Sequence, residues 1–283
     1  MKSCTKIQSG VLLFALLLIL SLSGCKNMGK KGQNAEVNVS DTIKKEIMLS
    51  PESQTLLYKF PTPFQVTQML IEAQAGYIFD ITNSPDNVTK YVTEKSKALN
   101  LGIYSADLSY SATYNRTDET NKFIGATGKL ADELGISGVY DKTLVERTKK
   151  FSNNKDSLVN MLNKVFNKTN DFLSKNNRNQ VTVLITAGGF TEGLFLTALL
   201  AELSKDNKKL MAVIASQKEN YEKLASILEA YKYDEYMKPV FDEVAKLKPI
   251  WEKYDIGSGK KVSQQNAKEI SVTAEAARTA FIK

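Results

Sequence analysis

The sequence predicts an all-α protein, an irregular antiparallel multi-helix bundle or short helical array, and three observations lead to that expectation. Apolar residues recur every three to five positions from about residue 64 to the end of the chain, which is the period of an amphipathic helix. The one stretch with strand character, Gln180 to Ile185, belongs to an apolar run that continues through Leu203. That run is too long for a strand and suits a buried helix. No second strand stands ready to pair with it, and no internal repeat of fixed period suggests a solenoid.

Taken in order, the chain opens with Lys2 and Lys6 and an apolar run from Val11 to Leu22. These are the charged and apolar regions of a secretory signal. The run is shorter than the roughly 20 apolar residues that a bilayer core requires. It ends in Leu22-Ser23-Gly24-Cys25, which resembles a bacterial lipobox. The resemblance implies cleavage before Cys25 and acylation of that cysteine, with fatty chains such as palmitate. Residues 1–24 are then the signal peptide, 25–50 a polar, flexible tether, and 51–283 a single all-α domain.

Pro51, Pro61 and Pro63 punctuate a turn-rich passage in which Leu56, Leu57, Tyr58 and Phe60 form a lid. Phe64, Met69, Leu70, Ala73, Tyr77 and Ile81 then draw one stripe, predicting a helix from about 64 to 82. Ser84-Pro85 reads as an N-cap with proline at the first helical position, and predicts a helix that runs to about Tyr114 with a bend or break near Gly102. Thr117-Asp118-Glu119 offers the next start, and Leu134-Gly135-Ile136 a stop in which Gly135 takes the left-handed turn. Further helices are expected over 139–151, 155–175, 179–203, 207–232, 235–254 and 264–281.

Composition narrows the chemistry. The chain has no histidine. Cys4 leaves with the signal and Cys25 is taken up by lipid. No thiol remains for a nucleophile or a disulfide, so Ser-His-Asp and Cys-His catalysis and the usual zinc ligand sets are excluded. Neither a cofactor nor a metal site is expected. The formal charge of +7 falls to +5 without Lys2 and Lys6, and to about +2 once the tether residues Lys26, Lys30 and Lys31 are set aside. What remains is interspersed with acids, as on solvated helix faces, so no nucleic-acid partner is expected.

Two stretches stand out as candidate ligand or packing sites. In Leu101 to Asn115, Tyr104, Asp107, Ser111 and Tyr114 share a helix face, with Tyr110 nearby. In Ala187 to Leu194, the glycines Gly188, Gly189 and Gly193 interrupt the most apolar helix, which also carries Glu192. A buried carboxylate there requires hydrogen-bond partners, and each glycine costs about 1 kcal/mol of helix stability against alanine. No Lys-Ser/Thr follows at the spacing of a phosphate loop. The two stretches are expected to pack on one another, with tyrosine hydroxyls serving Glu192.

Together with the lipobox, Leu101 to Tyr110 and Gly188 to Gly193 resemble a set of uncharacterised helical cell-envelope lipoproteins of Gram-negative bacteria. In that set a Leu-Gly-Xaa-Tyr-Xaa-Ala-Asp-Leu-Xaa-Tyr helix is paired with a later Gly-Gly-aromatic-Xaa-Glu-Gly helix. The resemblance implies a lipid-anchored, helical protein of the envelope, at the outer membrane, and it implies no activity.

The leading expectation is accordingly a non-enzymatic domain, anchored to the membrane through acylated Cys25, that binds an envelope protein or a small ligand. The alternative is a carboxylate-dependent envelope enzyme, for example a glycan-cleaving one, using Asp107 and Glu192. That chemistry asks for carboxyls roughly 5 to 10 Å apart across an open cleft. Dry, direct contact between them counts against it. A third class, a structural spacer, predicts no concave pocket.

Overall fold

The computed structural model describes residues 47–136, 154–204, 207–256 and 261–283, with Val139 and Glu146 besides. Cys25, most of the tether and almost all of the helix expected over 139–151 lie outside the described residues. The remainder is all-α, a multi-helix bundle, and falls within one compact unit, Lys45–Lys283.

Local signals explain most of the element boundaries. The passage read as turns contains α1 (Pro51–Tyr58), because Ser50 accepts from the Ser53 backbone N–H and Pro51 sits at the first helical position. Leu49, assigned to the tether, is buried against the core. α2 (Pro63–Glu72) begins with a reciprocal capping box between Thr62 and Gln65.

α2 then stops ten residues short of the expected end. Gln74 takes a left-handed φ of 58° without being glycine, and the chain runs irregularly until Ser84 caps a short 3-10 helix, Pro85–Lys90. The apolar stripe misled here because Tyr77 and Ile81 still pack against the core from a loop.

The long helix α3 (Glu94–Thr113) starts afresh at Thr93, whose side chain forms a capping box with Ser96, and it passes Gly102 without a break. α4 (Thr117–Glu133) ends where Gly135 adopts φ 70°. α5 (Lys155–Lys175), α6 (Asn179–Leu203), α7 (Lys208–Glu229) and α10 (Gln264–Phe281) follow the predicted spans closely. The helix expected over 235–254 is instead two, α8 (Lys238–Ala245) and α9 (Lys248–Lys253). Pro249 has no N–H to continue the ladder and lies in the first turn of the second.

The bundle is built around α6. This helix is apolar and long enough to cross a bilayer, but 83% of its most apolar window is buried inside the protein, as in a core helix. α3 and α10 make the most extensive contacts with it, α4 covers the outer side of α3, and α7 lies against α6. α2 and α5 each touch both α3 and α6. Every residue of α3 from Ala98 to Thr113 is buried, so its polar side chains must be satisfied internally.

Candidate functional site

The two singled-out stretches do meet, and the glycines are the reason they can. A Cβ on Gly188 would lie 2.0 Å from the carbonyl oxygen of Leu99, and one on Gly102 would lie 2.0 Å from that of Ile185. Gly189 is nearly as tight, with the Gly102 oxygen 3.3 Å from where its Cβ would be. The backbones of α3 and α6 therefore touch, and only glycine fits at the crossing.

One turn beyond that crossing, Asp107 of α3 and Glu192 of α6 face each other with no exposed surface on either. Asp107 Oδ2 accepts from the Asn83 backbone N–H at 3.1 Å. Glu192 Oε2 accepts from Arg278 Nε of α10. Arg278 also donates to the Ile81 carbonyl at 3.2 Å and stacks on the Phe195 ring. The oxygens left without a donor are Asp107 Oδ1 and Glu192 Oε1, in two carboxyls that lie within hydrogen-bonding reach of one another.

One shared proton satisfies both oxygens. Burial and the charge of Glu192 raise the Asp107 carboxyl well above the usual range, while Arg278 opposes the shift. Burial also raises Glu192, but there the adjacent guanidinium holds the group towards its charged form. Burial works against the charge of Arg278, and the two carboxyls outweigh it. The arrangement is a neutral Asp107 donating to a Glu192 carboxylate that pairs with Arg278.

The tyrosines do not serve Glu192, contrary to expectation. Instead one face of α3 clasps the irregular segment that follows α2. Tyr114 donates to the Ala75 carbonyl, Tyr110 accepts from the Ile78 N–H, and Tyr104 donates to the Ser84 carbonyl, each at 2.8 Å. With Asp107 on Asn83 and Arg278 on Ile81, five side chains satisfy the backbone of a segment that has no ladder of its own. Arg278 was missed in the sequence. Its signal was present: it lies on the stripe formed by Ile270, Ser271 and Ala274, and arginine suits a buried ion pair better than the lysine this chain otherwise prefers.

A separate feature lies on another face of α6. A crevice of about 610 Å³, counting its open mouth, is walled by Phe60, Pro63, Val66, Phe166, Phe190 and Leu196. It is narrow, since the centre of a water-sized sphere has about 30 Å³ in which to move. Its polar lining consists of Thr67, Asn170, Thr186 and Gln217, with no charged side chain among the lining residues. Thr67, Thr186 and Gln217 already hold partners. The buried Oδ1 of Asn170 has none.

Gly193 is on this lining too, and packing does not require it. A Cβ there would meet only Val66 Cγ1, at an ordinary 3.9 Å. The sequence alone offers no reason to separate Gly193 from Gly188 and Gly189, because all three look alike until the crossing helix is in place. Among the described residues no cluster of acidic, cysteine or histidine side chains is arranged to hold a metal. No protein-family model, curated protein or solved structure matches this chain.

Proposed function

We propose that this protein is a lipoprotein of the bacterial cell envelope, anchored at the outer membrane through acylated Cys25, whose helical domain is a non-enzymatic binding module. The observation that carries the binding reading is the crevice between α2, α5 and α6, with Gly193 bare on its lining. A glycine in the middle of a helix costs about 1 kcal/mol against alanine, and here no neighbouring backbone demands it. Retaining it keeps the crevice open, which favours a site over a spacer.

The enzymatic alternative draws little support from Asp107 and Glu192. Two carboxyls in contact, sealed from solvent and held by Arg278, leave room for neither a glycosidic bond nor a water between them. The motif residues Gly102, Tyr104, Asp107, Tyr110, Gly188 and Glu192 all have structural partners.

The test has two readouts. Cys25→Ala should move the protein from the membrane fraction to the soluble one after a high-salt wash; quantitative retention on membranes would defeat the anchoring. The full chain carrying Cys25→Ala should bind the neutral dye Nile red, and Val66→Phe, which fills the crevice from the α2 side, should abolish that binding. Dye binding unaffected by Val66→Phe would remove the crevice as the site.

A further inference from the structure

We infer that the stretch from Ile78 to Ser84 is a proton-gated cover: it seals the Asp107–Glu192–Arg278 cluster while the two carboxyls share a proton, and detaches to admit water when that proton leaves. The cluster holds two acids and one cation, so its charges balance only with the proton in place. Without it, two carboxylates face each other where neither has any exposed surface. A buried charge in excess of its partners requires water or a further donor.

The walls of the cluster differ in how readily they admit that water. On one side the backbones of α3 and α6 touch at Gly102 and Gly188, with no space for even a methyl group, and α3 is buried without interruption from Ala98 to Thr113. On a second side α10 holds Arg278, itself only slightly exposed, over the Phe195 ring. The third wall is the stretch Ile78–Ser84, which meets the cluster through the Asn83 N–H on Asp107 and the Ile81 carbonyl on Arg278. It has no helical ladder, and its Phe79 and Asp80 are exposed. Asp80, like Gln74 shortly before it, holds a left-handed backbone, with φ of 60° and 58°. Opening relieves strain of that kind. The Asn83 side chain is bonded besides to Tyr91, Asn87 and Asn100, but these bonds join neutral groups, and water replaces them at modest cost.

The other titratable groups nearby leave the proton on the carboxyl pair as the one that moves. Burial raises the phenols of Tyr91 and, with Asp86 adding to the effect, Tyr104, so both stay neutral near pH 7. Arg278 stays charged, held by Glu192, Asp107 and Glu275. Asp107 is therefore protonated under the closed cover and ionised in the open one, and each opening releases one proton to water.

Hydrogen exchange of the full chain carrying Cys25→Ala, followed by NMR between pH 5 and 8, tests the gate. After division by the intrinsic rates, the opening constant at the Ile78 and Asn83 amides should rise with pH, by up to about tenfold per unit for one proton released. At pH 8 it should exceed that of the Ile185 and Leu196 amides in α6 by at least about tenfold, and change little in dilute urea, because a local opening exposes little surface. Asp107→Asn, which has no proton to release from that carboxyl, should make the Asn83 constant independent of pH. A constant that is flat in the parent, or a rise that persists in Asp107→Asn, overturns the inference. So does exchange at Asn83 that matches α6 in both rate and urea dependence, since the segment then opens only when the whole bundle unfolds. That last comparison needs no substitution and decides the matter even if Asp107→Asn does not fold.

Discussion

Asp107 and Glu192 stand on different helices, wholly buried, and share the neighbourhood of a single cation, Arg278. One positive charge offsets one carboxylate, and the second acid is held in its protonated form. The pair is thus unequal: Glu192 carries the charge and Asp107 the proton.

That inequality predicts opposite outcomes for two isosteric changes. Asp107→Asn replaces a neutral donor with another, keeps an acceptor for the Asn83 N–H, and should alter stability by less than about 1 kcal/mol. Glu192→Gln leaves the buried guanidinium of Arg278 without its counter-charge and should cost about 3 to 5 kcal/mol. Urea unfolding monitored by circular dichroism at pH 7 distinguishes them. Equal losses in the two variants would mean that the charge is not localised on Glu192.

The same proton makes stability depend on pH. An unfolded Asp107 releases its proton near pH 4, whereas the folded group holds it well above that. Over that window the native state binds more protons than the unfolded one, so stability falls as pH rises from about 4 towards the folded value. The limiting slope is about 1.4 kcal/mol per pH unit for one proton. Asp107→Asn should flatten this contribution, which a comparison of urea midpoints between pH 4.5 and 8 for the two proteins would reveal. A variant with an unchanged profile would place the proton elsewhere.

Helices were legible in the sequence where the period followed a clear cap, as for α5 and α10, or where an apolar run was too long for a strand, as for α6. They were misread where tertiary contacts replace local hydrogen bonds. Nothing between Ala73 and Ser84 announces that α3 side chains will satisfy its backbone, so Tyr77 and Ile81 passed for one more helical turn. The meeting of α3 and α6 was readable from their glycines and their polar residues. The donor to Glu192 was not, because Arg278 lies 86 residues away in sequence, and the crevice draws its lining from α2, α3, α5, α6, α7 and the α1–α2 connection.

Tyr104 gives a test of the clasp that is independent of the carboxyl pair. Its hydroxyl is the donor to the Ser84 carbonyl at 2.8 Å, and the ring is wholly buried. Tyr104→Phe keeps the ring and strands that carbonyl, at a cost of about 1 to 3 kcal/mol. Because the segment from Ala75 to Ser84 has no helical ladder, the loss should appear there first. Hydrogen exchange at the Ile78 and Asn83 amides should accelerate more than exchange within α6. Uniform acceleration throughout the bundle would mean that the clasp is not a separate unit of stability.

The glycines of α6 allow the sharpest contrast, because one helix holds glycines of two kinds. At Gly188 a methyl group would sit 2.0 Å from the Leu99 oxygen, which belongs to backbone and cannot rotate away. Gly188→Ala must therefore push α3 and α6 apart, disturbing the Asp107–Glu192 contact as well, and should cost about 3 kcal/mol or more. Gly193 has only Val66 Cγ1 nearby, at 3.9 Å. There a methyl group adds helix propensity without a clash, so Gly193→Ala should stabilise by about 0.5 to 1 kcal/mol. For a domain of this size each kcal/mol moves the melting temperature by roughly 2 to 4 °C, so a thermal scan should show Gly193→Ala melting slightly above the parent and Gly188→Ala far below it. If Gly193→Ala proved as damaging as Gly188→Ala, that glycine would be needed for packing, and the argument that it is kept bare for a ligand would lose its footing.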